Sequence, residues 1–195
     1  MSGHFGDGTL AVIAGDTSRG ADIYHWRFGA RTTTRRNTDT YVWAWPNAEN
    51  TIHVTHDAKH LFFHVRTREA LTPSTDVNWM VLLLDTDQDA KTGHLGYDYR
   101  LNHTRSTPDI AGIEHWNGKA WEPAGAAKLQ RGGNELHLAA ERSSLGMPPD
   151  KPVRFDFKWT DNVPANADGM DFLDQGDTAP NSRFNYLYIG PVIPQ

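Results

Sequence analysis

Apolar and polar side chains alternate in short runs along most of this chain, and turn-forming residues interrupt the runs at intervals that suit strands rather than helices. A short apolar run, Leu10 to Ala14, lies within a Gly-, Ser- and Thr-rich lead-in over residues 1–20 and predicts a candidate edge strand. The segment DIYHWRF, Asp22 to Phe28, sets Tyr24, Trp26 and Phe28 on one face, and YVWAWPN follows and ends at Pro46-Asn47. Ile52 and Val54, then Leu61, Phe63 and Val65, alternate with polar neighbours across Asp57 to His60. They predict a hairpin with Ala58-Lys59 as its loop, Val54 facing Phe63 and His53 facing His64.

Val81 to Leu84 are continuously apolar and end in Asp85, as a strand covered on both faces would. After a turn at Thr92-Gly93, Tyr97, Tyr99 and Leu101 alternate with Asp98, Arg100 and Asn102, which returns Asp98 close to Asp85. In IAGIEHWNGKAWEP, Asn117-Gly118 reads as a two-residue hairpin loop, with Glu114 facing Trp121 and Trp116 diagonal to it. Leu136, Leu138 and Ala140 share one face, and Arg142 to Met147 form a helical turn that Pro148-Pro149 stop. Val153, Phe155, Phe157 and Trp159 point inward, with Arg154, Asp156 and Lys158 on a wet face. A polar segment then leads to a last strand, RFNYLYI. The expected fold is an all-β, antiparallel β-sandwich forming one domain over residues 21–195.

Composition narrows the function classes. The net charge of -5 carries no long run of either sign, which argues against nucleic acid and anionic membrane as partners. There is no cysteine, so disulfides, thiolate metal sites and cysteine nucleophiles are excluded. No apolar run approaches the roughly 18 residues of a membrane span, and MSGHFGDG has no signal-peptide core. Aromatic residues make up 11% of the chain, more than a small core needs.

The densest chemistry is DTDQD. Asp85, Asp87, Asp89 and Asp98 are hard oxygen donors that fit calcium, with backbone carbonyls completing the shell. The spacing is not an EF-hand, because Ala90 stands where the turn glycine is needed and Gly96 where the bidentate Glu should be. Without a cation, each pair of such carboxylates repels by about 1 kcal/mol or more near a surface. Asp161, Asp168, Asp171 and Asp177 offer a candidate second calcium site, or else a long loop held by Asx turns and an Asp177–Arg183 ion pair. His53 and His64, if opposed, could share a transition metal, but two ligands are too few and spacing places no third. They read as polar residues of an exposed sheet face. No GxSxG, P-loop, GxGxxG or HExxH motif occurs, and the acidic residues cluster in loops as cation ligands do rather than in the paired arrangement of a glycosidase.

In order, VTHDAKHLFFHVRT, NWMVLLLDTDQDAKTGHLGYDYRLN, NELHLAAERSSLG, and FDFKWTDN with GDTAPNSRFNYLY resemble the carbohydrate-binding module family 9-like domains. These are related to DOMON-type sandwiches and are appended to secreted bacterial glycoside hydrolases. The similarity spans roughly Tyr41 to Ile189; one departure is WPNAEN, where related stretches carry an aspartate-bearing turn. The resemblance implies a jelly-roll-like sandwich, structural calcium, a secreted or periplasmic setting, and non-catalytic binding of a polysaccharide or oligosaccharide beside an attached glycoside hydrolase domain. Sugar rings stack on exposed aromatic faces while planar polar groups read their hydroxyls. Trp43, Trp45, Trp116 and Trp121 are then the aromatic candidates, with Arg100, Asn102, Glu114 and Arg183 as polar partners. Trp79 and Trp159 are expected in the core. Two alternatives remain beside this reading: a structural appendage packed on a catalytic domain, and a haem-binding sandwich that uses Met80 and a histidine, although Met80 most simply fills core.

Overall fold

A computed structural model of the protein describes residues 11–12, 51–67, 70–75, 78–161, 163, 177–180 and 185–190. Its strands are β1 (Ala11–Val12), β2 (Thr51–His56), β3 (His60–Arg66), β4 (Val81–Asp85), β5 (Tyr99–Thr107) and β6 (Ile110–Trp116). They continue as β7 (Trp121–Gly132), β8 (Glu135–Glu141), β9 (Val153–Asp161), β10 (Asp177–Ala179) and β11 (Tyr186–Gly190). All belong to one antiparallel sheet in the order β1-β2-β3-β8-β7-β6-β5-β4-β9, and β10 and β11 share the far edge of β9. The consecutive strands β4 to β8 thus form a meander inserted between β3 and β9.

The sheet curls into a sandwich-like half-barrel around its own apolar face. Five strands separate β3 from β9 along the sheet, yet the Phe63 ring lies 5.9 Å from Phe155 and 6.2 Å from Phe157 across the core. At the rolled-up margin His56 Nδ1 meets Tyr188 Oη at 2.7 Å, which joins β2 to β11. Register breaks between Leu101 and Arg105, and between Ile113 and Glu114, supply the local kinks that a curled sheet needs. The inward rows follow the sequence pattern: Val54, Phe63, Leu138 and Leu129 are cross-strand neighbours and all lie in the core. Trp79 and Trp159 are buried as expected, and Met80 is 0% exposed in the same core.

The first hairpin has the expected loop and register, with His53 opposite His64 and Val54 opposite Phe63. The expected helical turn is a single 3-10 turn, Arg142–Leu145, closed by Gly146 in the left-handed region. Two expectations are corrected. At the second hairpin the loop residues are Gly118-Lys119, not Asn117-Gly118; Asn117 Oδ1 accepts the Lys119 and Ala120 amides at 2.9 Å, and Trp116 stands directly opposite Trp121. Glycine at the first loop position, with φ of 94°, suits a type II′ turn, and the bulge after Ile113 then pairs Glu114 with Pro123. On β9 the wet face is largely dry. Arg154 is exposed, but Asp156 and Lys158 are buried: the Asp156 carboxylate accepts Gln88 Nε2 at 3.1 Å and the Lys158 ammonium donates to the Pro180 carbonyl at 2.7 Å.

Candidate functional site

The acidic loop is assembled by β4 ending and β5 beginning side by side. Asp98 N donates to Leu84 O at 2.8 Å, and one carboxylate oxygen each from Asp85, Asp87 and Asp98 lies within 4.8 Å of the other two. Each of these carboxylates also shapes the loop. Asp85 Oδ1 accepts Gln88 N at 2.6 Å, Asp87 Oδ1 accepts Asp89 N at 2.8 Å, and Asp98 Oδ2 accepts both Thr86 N and Thr86 Oγ1 at 2.8 Å. Gly93 makes the turn at φ of 64°, and a Cβ there would collide with the Tyr97 backbone. Asp89 stands apart, exposed, with its Oδ1 engaged by Lys91 N at 3.0 Å. Asp156 faces Asp85 across β4–β9 and accepts Gln88 Nε2 at 3.1 Å. Burial pushes the Asp85 carboxyl up to about 7, and the neighbouring Asp98, Asp156 and Asp87 charges push it the same way. A divalent cation would reverse both effects by replacing lost hydration and neutralising the repulsion.

The aromatic corner adjoins this loop. Trp116 N donates to Asp98 O at 2.9 Å, so the β6–β7 hairpin is bonded to the loop's own backbone. His94, also from the loop, lies 4.5 Å from the Trp116 ring and 5.8 Å from Trp121 between centroids. The two tryptophans meet edge to face at 5.5 Å, and both are partly exposed. The Arg100 guanidinium sits 4.7 Å above the Trp121 ring and forms a bidentate pair with Glu114 at 2.8 and 3.0 Å. His103 Nδ1 shares Glu114 Oε2 at 3.2 Å, and burial holds its pKa below the usual imidazole value, with Arg100 adding in the same direction. Glu114 therefore orients Arg100 and His103, and its pair with Arg100 uses Nε and Nη2, not Nη1.

The other named candidates lie elsewhere. Asn102 is corrected from ligand partner to core residue: it is 1% exposed, and its Nδ2 donates to Trp79 O and Met80 O at 3.0 Å. Asp161 is likewise buried and accepts Met80 N at 2.9 Å, although Asp177 faces it in register. Trp43, Trp45, Asp168, Asp171, Arg183 and the Asp177 side chain lie outside the described residues, as do the expected strands over residues 22–28 and 41–47, whereas β1 falls within the expected edge strand at Leu10 to Ala14.

A third cluster occupies the outer face of β2, β3 and β8. His53, His64 and His137 form one cross-strand row that ends at Gln130 on β7, with Glu135 two residues before His137. His64 Nδ1 is 3.2 Å from His53 Nδ1, and the His64 and His137 rings stack at 4.3 Å and 6°. Burial and the neighbouring His137, His53 and Arg66 hold His64 down to about 3, so it is a neutral imidazole at ordinary pH.

His94, His103, Asp156, Glu135 and His137 were not among the sequence candidates. The alternation in NELHLAAE does mark Glu135 and His137 as outward. Nothing local says that β8 will lie beside β3. No family model matches the sequence, and neither curated proteins nor solved structures give a match.

Proposed function

We propose that the chain is a non-catalytic carbohydrate-binding module of the kind its sequence resembles, with calcium as a structural ion in the Asp85, Asp87 and Asp98 loop. Trp116, Trp121 and His94 supply the apolar faces, and Arg100 reads hydroxyls. The observation that carries this reading is the coupling of loop and corner: Trp116 is hydrogen-bonded to Asp98, and His94 packs on both tryptophans. A cation that fixes the loop would thereby fix the binding surface, limiting the ordering cost of binding. In a secreted or periplasmic setting such a module would raise the effective concentration of a linked glycoside hydrolase on its polysaccharide.

Titration calorimetry against xylan, cellulose and pectic oligosaccharides, with calcium present, tests the reading. One class should give heat and quench tryptophan fluorescence, and Trp116→Ala should weaken binding by about tenfold or more, roughly 1.4 kcal/mol. Absence of heat and of any fluorescence change with every glycan would overturn it. A gain in melting temperature on fusion to a catalytic domain, without glycan binding, would instead support a structural appendage.

A further inference from the structure

We propose that His64, His137 and Glu135 form a binding site for a divalent transition metal of the zinc type, with His53 as the positioning residue. The site is distinct from the acidic loop, and its donors select a different ion, since imidazole nitrogens suit zinc, copper or nickel and not calcium. The proposal does not depend on the carbohydrate reading.

One ligand atom from each of the three residues lies within 4.8 Å of the other two. His64 Nε2 is 3.9 Å from Glu135 Oε1, and His137 Nε2 is 3.9 Å from Glu135 Oε2. Bonds of about 2.0–2.2 Å at tetrahedral angles place neighbouring donors roughly 3.3–3.5 Å apart, so each of the two His–Glu pairs needs to close by about half an ångström, and the two imidazole nitrogens, within 4.8 Å of each other, close with them. Two His and one Glu, with a fourth position for water, are an established zinc donor set.

Three features govern closure. First, the donors stand on paired strands and not on loops, with His64 directly opposite His137, so the backbone fixes their separation. Second, His53 can set the His64 tautomer. Two ring nitrogens 3.2 Å apart bond only when one carries hydrogen. If the hydrogen sits on His64 Nδ1 and is donated to His53, the lone pair of His64 Nε2 is directed to the side where Glu135 stands. Third, two movements are required. The stacked His64 and His137 rings must tilt about χ2, because a metal bond lies in the ring plane. Arg66, with Nε 4.0 Å from Glu135 Oε1 and a side chain 52% exposed, must swing into water as the metal takes the carboxylate. A bound ion would clip β3 to β8, strands adjacent in the sheet and distant in sequence.

The test uses the whole chain, freed of metal by chelator and dialysed, titrated with Co2+ and then with Zn2+ in competition. One equivalent of Co2+ should give the intense visible absorption of a low-coordinate site, and Zn2+ should abolish it. His137→Ala and Glu135→Gln should each weaken binding tenfold or more with the circular dichroism spectrum unchanged, whereas Asp85→Asn should have no effect. His53→Leu should weaken binding about tenfold at unchanged stoichiometry, and His53→Asn, which keeps an acceptor for the His64 Nδ1 hydrogen, should restore most of it. Co2+ absorption like that of the aqueous ion, or binding undiminished in a His64→Gln, His137→Ala double variant, would overturn the proposal.

Discussion

Stripped of divalent cations, the protein should be less stable at pH 8 than at pH 5 as far as Asp85 is concerned, and calcium should remove the deficit. Burial and three neighbouring carboxylates raise the folded Asp85 pKa from 3.8 to about 7. A carboxyl whose folded pKa is raised favours the folded state fully below its unfolded pKa, and that contribution is lost as pH rises from 3.8 through about 7. Histidines 53, 64, 103 and 137 act in the opposite sense: their lowered values make protonation destabilising as pH falls below 6.5. The readout is therefore the difference between wild type and Asp85→Asn, which keeps an acceptor for Gln88 N but carries no charge. In chelator, the variant should gain on wild type as pH rises from 5 to 8. On the calcium reading, free ion at about a hundred times its Kd should stabilise wild type by about 2.7 kcal/mol. For a chain of this size that is roughly 5–11 °C in melting temperature, and the variant should lose most of it. An equal calcium shift in both proteins would place the ion elsewhere.

Replacing Asn102 by Ala should cost roughly 3–5 kcal/mol in denaturant unfolding, from two stranded carbonyls and a strained backbone. The side chain is buried, its amide donates to Trp79 O and Met80 O, and its own backbone has φ of 66°, which Asn tolerates better than Ala. Asn102 stands at the β5 irregularity, two residues after Arg100, so the loss should also loosen the aromatic corner. A cost below about 1 kcal/mol would show that water or neighbouring donors take over both carbonyls.

The strands of this fold were legible because most bury one face, and alternation records it: the β2–β3 hairpin, the β8 row and the inward residues of β9 all follow it. Alternation failed on β9, where distant segments reach two residues of the outward row. Asp156 and Lys158 look solvent-facing, but their partners, Gln88 Nε2 and Pro180 O, come from other segments. Asn102 looked like a surface amide because a left-handed residue at a bulge leaves the two-residue period. Within the candidate site, the closeness of Asp85, Asp87 and Asp98 was legible from one contiguous stretch, as was that of Trp116 and Trp121 beside a turn. The partnership of His64 with His137 was not, since it is set by a strand pairing that no local pattern encodes.

That same pairing governs how the chain must fold. Because β3 pairs with β8 and β4 with β9, the β2–β3 hairpin cannot cover its second edge until β8, the last strand of the β4–β8 meander, is present. During synthesis the half-finished product carries Leu61, Phe63 and Val65 on an unpaired edge strand. Such long-range closure sets refolding in the range of roughly milliseconds to seconds. The vulnerable species for aggregation is therefore the nascent chain before residue 135 emerges, and ligands of the finished sheet arrive too late to protect it.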